Sequence, residues 1–303
     1  MERRIIQAII CLVTITVCSL VVLAAEESGG NEQGLTFYER NETAKAITAL
    51  KGSLAKEFTG PAAAELQKAI DTAKSGKVEE AEKVFLPLLD DEKTAARSRY
   101  ELGLIYESKG DPNAAASMFY KAQVILANKG AAYVGASTCK KCHIKEYTSW
   151  KKTKMAKTFE TLKPGVNVEG KTKLKLDPQK DYTKDAKCLD CHTTGFGMLG
   201  GYKIPDAGDA AAVGRAQQNE GATCEACHGP GSKFTVIHKE AMTKKRKFTP
   251  EELDKAGQHK PDAKSCTACH NQKNPTAGPG YHFDYEKSKA EGIHEHFPLK
   301  NQS

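Results

Sequence analysis

The sequence predicts an all-α protein built from two unlike parts, and three observations carry that reading. Residues 36–130 are rich in Ala, Leu, Glu and Lys and contain no Cys and no His, a composition of strong helix formers. Within them Gly76, Ala81 and Phe85 recur as Gly110, Ala115 and Phe119, a period of 34 residues. From residue 132 the character changes: Gly, Pro, Lys and His rise, long apolar runs vanish, and one cysteine pattern occurs four times. So few apolar segments cannot bury a conventional core, so this second part, 132–303, has to be organised by cofactors.

Taken in order, residues 1–25 read as a secretory signal peptide. Glu2, Arg3 and Arg4 form a charged start, Ile5 to Ala25 is almost wholly apolar, and Val22 and Ala24 suit the cleavage positions. The alternative is an uncleaved anchor, because 21 apolar residues are long enough to span a bilayer. Either way the chain is exported, which places the rest in the periplasm, attached to the membrane only if the signal stays uncleaved. Residues 26–35 are a polar linker.

The second copy of the repeat, "ARSRYELGLIYESKGDPNAAASMFYKAQVILAN", resembles the tetratricopeptide repeat. Leu102, Gly103 and Tyr106 fall on its first helix, and Ala115, Phe119 and Ala122 on its second. The first copy is weaker: Lys68 and Thr72 replace the expected Leu and Tyr, and Pro87 interrupts its second helix. Two repeats rarely stand alone. A helix at about 40–57 is expected to cap one end and the C-terminal part to cover the other. Such a unit serves as a protein-docking groove or as a helical spacer, and the sequence leaves both open.

The four cysteine motifs are Cys139, Cys142 and His143; Cys188, Cys191 and His192; Cys224, Cys227 and His228; and Cys266, Cys269 and His270. Each is C-x-x-C-H, the attachment pattern of c-type haem: two thiols form thioethers with the vinyl groups, and the adjacent imidazole ligates the iron. Zinc ribbons use similar pairs at much shorter intervals, and a redox dithiol needs no adjacent His. Four adjacent histidines in four motifs would arise by chance on the order of once in a million. Four covalently attached haem c groups account for all eight cysteines beyond the signal. They also supply the missing core, and their propionates bring a chain of formal charge +7 closer to neutral.

Beyond these motifs the second part resembles the cytochrome c-554 family, the tetrahaem c-type cytochromes of ammonia-oxidising bacteria. The resemblance covers about residues 132–298 and rests on "SWKKT", "TLKPGVNVEGKTKLKLDPQKDYTKDAKCLDCH", "GFGMLGGYKI", "GATCEACHGPGSKF", "AKSCTACH" and "IHEHF". It implies a mostly α-helical periplasmic electron carrier, so the full expectation is tetratricopeptide-like hairpins followed by a tetrahaem cytochrome domain. It also implies a hydroxylamine-oxidoreductase-like donor and a quinone or cytochrome acceptor.

The resemblance further implies distal iron ligands. His238 matches that of the fourth haem and His294 that of the first, whereas the second haem has none. The family's third-haem ligand is a His where this chain has Met155, whose thioether also ligates iron. Twelve helical residues from His143 to Met155 span about 18 Å, so Met155 either reaches another haem or only packs. His259 and His296 read as non-ligands. His282 is extra, in a shortened segment after the fourth motif, and the second haem is open unless His282 reaches it. An open second haem would make the protein a reductase of a small molecule such as nitric oxide, the alternative to an electron carrier. The basic runs "KKTKMAK" and "KKRK" read as solvated lysines, with steering of an acidic redox partner as the functional alternative. Nothing in the sequence points to nucleic acid.

Overall fold

A computed structural model describes residues 31–274, 282–291 and 293–298. Residues 1–30, where the sequence predicts a signal peptide and the start of a linker, and residues 275–281 lie outside the described residues. The chain is all-α: among the described residues the only β pairing is an isolated bridge between Thr193 and Glu220.

The first part folds as α1 (31–39), α2 (Thr43–Glu57), α3 (Ala64–Lys74), α4 (Val78–Leu88), α5 (Ala95–Ser108) and α6 (Pro112–Ala127). Helices α3/α4 and α5/α6 are two hairpins, turned at Gly76 and Gly110, both in the left-handed region (φ 84° and 74°) that glycine enters without steric cost. Helix α6 starts sharply because the Asp111 side chain caps Ala114 N and Pro112 stands in the first turn. Inside the second hairpin Gly103 faces the Phe119 ring so closely that a Cβ there would lie 2.5 Å from it. Ala115, Phe119 and Ala122 are fully buried, as are Ala81 and Phe85 in the first hairpin. Helix α4 ends at Leu88, one residue after Pro87. Helix α2 packs on α6, so it flanks the second hairpin although it precedes the first in sequence.

The second part consists of short helices: α7 (Ala136–Lys140), α8 (Ile144–Trp150), two 3-10 turns (Met155–Lys157 and Phe159–Leu162), α9 (Val168–Lys173), α10 (Ala186–His192), α11 (Ala210–Gln217), α12 (Cys224–His228), α13 (Phe234–Thr243), α14 (Pro250–Lys255), α15 (Ala263–Thr267) and α16 (Tyr285–Glu291). Its apolar clusters are small, one around Leu189 and Tyr202 and one around Phe234 and Phe248.

The two parts share an interface. Met198 and Leu199 of the second part are buried with Ala95, Ala96 and Ile125 of the first. Arg99, 2% exposed, donates to the carbonyls of Gly197 (3.2 Å), Leu89 (3.0 Å) and Ala95 (2.9 Å). These bonds offset the cost of burying its charge. Lys233 pairs with Glu92 at 2.8 Å and Lys203 with Asp90.

Candidate functional site

Each cysteine motif sits on a single helical turn, and that turn puts its three functional groups on one side. The second and third motifs lie inside α10 and α12. In the first and fourth the helix ends early, yet His143 N still donates to Cys139 O and His270 N to Cys266 O, both at 2.9 Å. Asp185 caps α10 through Lys187 N, and a capping box of Asp262 and Ser265 starts α15.

All twelve motif residues line one cavity of about 2850 Å³, several times the about 300–1,000 Å³ of a pocket for one small ligand. Within it the motifs are paired. The Cys139 and Cys224 sulfurs are in hydrogen-bond contact, which pushes the Cys139 thiol up and the Cys224 thiol down. Cys269 and Cys191 are related in the same way. Thioether sulfurs carry no such proton, so in the attached form these contacts are adjacencies: first motif beside third, second beside fourth.

Four of the imidazoles are favoured in the neutral form by burial. Burial lowers His192, His238 and His270. Burial, then the neighbouring His294, His143 and His296, holds His228 at about 4. A neutral ring is the form that ligates metal. His192 Nδ1 lies 2.7 Å from Thr158 O and 3.2 Å from Thr161 Oγ1, an arrangement that fixes the ring and leaves Nε2 for a metal. Phe283 stacks on His270 with centroids 4.6 Å apart. His228 Nδ1 and His238 Nε2 are buried with no hydrogen-bond partner. The cavity's size, the sulfur–imidazole triads and these unpartnered nitrogens fit covalent haem.

Helix α13 carries His238 to the first motif, its ring centroid 6.0 Å from that of His143 at an interplanar angle of 60°. With metal–imidazole bonds of about 2.0–2.1 Å, two rings on opposite faces of one iron have centroids roughly 6 Å apart. His238 was expected to serve the fourth haem and His294 the first; the structure brings the His238 ring beside His143 of the first motif. His294 lines the cavity, and of the charged groups around His228 it acts on that ring most strongly. Its segment is held on α8 by Glu295 N donating to Ser149 Oγ at 2.9 Å.

Met155 lines the cavity too, but not on a helix continued from His143. Helix α8 stops at Trp150, whose Nε1 donates to Ala222 O at 2.9 Å. Met155 then sits on a 3-10 turn, and its carbonyl accepts from Ala222 N at 3.0 Å, two residues before Cys224. These two bonds clamp the Met155 turn beside the third motif. His259, read as a non-ligand, is outside the lining, and its Nε2 lies 2.8 Å from Asn128 Oδ1. His296, also expected to be a non-ligand, does line the cavity, its ring 4.7 Å from that of His294. His282 is exposed and outside the lining.

Two features had no sequence signal. Glu225, the second residue of the third motif, is 1% exposed. It accepts from Val134 N (2.9 Å), Gly135 N (2.7 Å) and Gly231 N (2.7 Å). Burial raises its pKa and those bonds oppose the rise. The other is the part that the first six helices play in the cavity wall: Tyr38, Ser117, Tyr120 and Lys121 line it, at positions that the repeat pattern does not mark.

Residues 138–229 match the family described as cytochrome c554 and c-prime. Cytochrome c-554 of Nitrosomonas europaea is 36% identical over 191 residues, which cover 56% of this chain and 78% of that protein. The solved structure of reduced cytochrome c554 from Nitrosomonas europaea aligns over 57% of this chain and 90% of that one, with 33% identity and a TM-score of 0.49.

Proposed function

The chain belongs to the cytochrome c-554 family, and on that premise we propose that it is a periplasmic tetrahaem electron carrier. The observation that carries this reading is the single cavity lined by all four C-x-x-C-H motifs. Bound haem iron supplies one-electron chemistry, with ligand type and burial setting each potential. The chain's residues hold the groups. The eight cysteines attach them, and His143, His192, His228 and His270 are proximal ligands. His238 stands opposite His143. Met155 serves the third haem, supported by its turn being bonded beside Cys224. His294, the charged group that acts most strongly on His228, is the competing ligand for the third.

A donor of the hydroxylamine-oxidoreductase type and a quinone-linked or cytochrome acceptor suit this family, and export suits the apolar N-terminus. Mass spectrometry of exported protein tests the core of the proposal. Four covalent haems per chain and a cleaved N-terminus are expected; bound zinc or fewer haems would overturn it.

A second reading is reduction of a small molecule such as nitric oxide at the second haem. The exposure of His282 favours it, since that leaves His192 as the protein ligand there. Electron paramagnetic resonance should then show one high-spin haem; four low-spin haems would end this reading.

A further inference from the structure

The N-terminal helices lie outside the stretch matched to the family, yet they reach the cavity where the second and fourth motifs meet. Tyr38 of α1 stacks on Tyr120 of α6, centroids 4.2 Å apart. Tyr120 is buried close enough to Cys269 for that thiol's charge to act on it. Next to it Lys121, 7% exposed, places its ammonium 3.2 Å from Asp190 Oδ1 and 4.9 Å from the centre of the Phe196 ring. Asp190 is inside the second motif, adjacent to Cys191. Lys273, three residues past His270, brings a second ammonium over the Tyr38 ring. Burial presses Lys273 down to about 7, and Asp190 and Cys191 oppose that. Glu39, near Lys273, is itself pushed toward its neutral form by burial. The firm feature of this wall is the Lys121 ammonium itself, buried and held against Asp190, which lies between the motif cysteines Cys188 and Cys191.

A spacer or a detached docking groove has no use for a buried lysine aimed at a haem-attachment motif, since burying the charge costs stability. A cation near a haem disfavours the ferric state, which carries one more positive charge than the ferrous state, and so raises its potential. We propose that α6 is a wall of the haem chamber and that Lys121 raises the potential of the haems attached at the second and fourth motifs.

This inference rests on the tetrahaem reading, and the experiment separates the two. Haem-loaded full-length protein is counted for haem by mass, then titrated spectroelectrochemically. Lys121→Gln should lower one or two of the four potentials and leave the others in place, and Lys121→Arg should restore them. Lys203→Gln breaks an ion pair to Asp90 in the same inter-part interface but away from the cavity, and should move none. Should Lys121→Gln fail to load haem, Ser117→Lys on the same lining face of α6 should raise the same potentials. Four haems with potentials unmoved by either substitution, or moved as much by Lys203→Gln, would overturn the role of Lys121. Fewer than four haems in the wild-type protein would instead overturn the tetrahaem reading.

Discussion

At the scale of the residue, Met155 and His238 show two ways in which a proposed ligand is positioned. His238 is oriented by burial, packed between Phe234 (5.8 Å) and Phe248 (5.0 Å) with its ring toward His143. Met155 is placed by its backbone. The thioether is a weaker donor to ferric iron than imidazole and favours the ferrous state. The third haem should therefore have the highest potential of the six-coordinate haems. Met155→His should lower that one potential and keep the iron low-spin; Met155→Ala should add one high-spin haem by electron paramagnetic resonance. If neither spin count nor potential changes, Met155 only packs. His294→Ala tests the competing ligand: if it, and not Met155→Ala, adds the high-spin third haem, His294 is the ligand there. Glu225 works through structure instead: Glu225→Ala strands three backbone donors, each at about 1–3 kcal/mol when buried, so a clear fall in melting temperature is expected.

Helices and hairpins were legible in the sequence to different depths. The second hairpin could be read in detail, because a packed helix pair repeats its small and large residues at fixed spacing. Gly103, Ala115 and Phe119 all fall where that spacing puts them. Position α2 could not be read, since an apolar stripe such as Ala46, Ile47, Leu50 and Leu54 declares that it is buried but not against which partner. The end of α8 was missed because the bonds that cap it join Trp150 and Met155 to Ala222, more than sixty residues away. The nearness of His238 to the first motif was not legible for the same reason: motif spacing names the proximal candidates, but what faces them depends on tertiary placement. Two glycines test the hairpin account with opposite signs. Gly103→Ala meets the Phe119 ring and should destabilise the protein by about 1–3 kcal/mol, the usual cost of overpacking. Gly52→Ala in the middle of α2 meets nothing within 4 Å and should stabilise it by about 0.5–1 kcal/mol. Thermal unfolding followed by circular dichroism checks both, and equal shifts for the two would show that the hairpin contact carries no constraint.

Across the whole molecule the two parts differ in what holds them together. Helices α3–α6 bury contiguous side chains, Leu66, Phe85, Leu102 and Phe119 among them, each at most 4% exposed. The second part surrounds a cavity of about 2850 Å³ with two small apolar clusters at its rim. With covalent groups in place of a side-chain core, the second part is expected to need them to fold, whereas the hairpins are not. A chain with all eight motif cysteines replaced by serine should keep slow amide exchange in α3–α6 and lose it in α10, α12 and α13. Helix α6 is the informative element. One face packs on α5 and α2 and the other lines the cavity, so its protection should fall relative to α5 if that second face is a real wall. Full protection throughout 132–274 in the haem-free chain would mean that side-chain packing holds the second part, and would remove the reason for reading the cavity as a haem chamber.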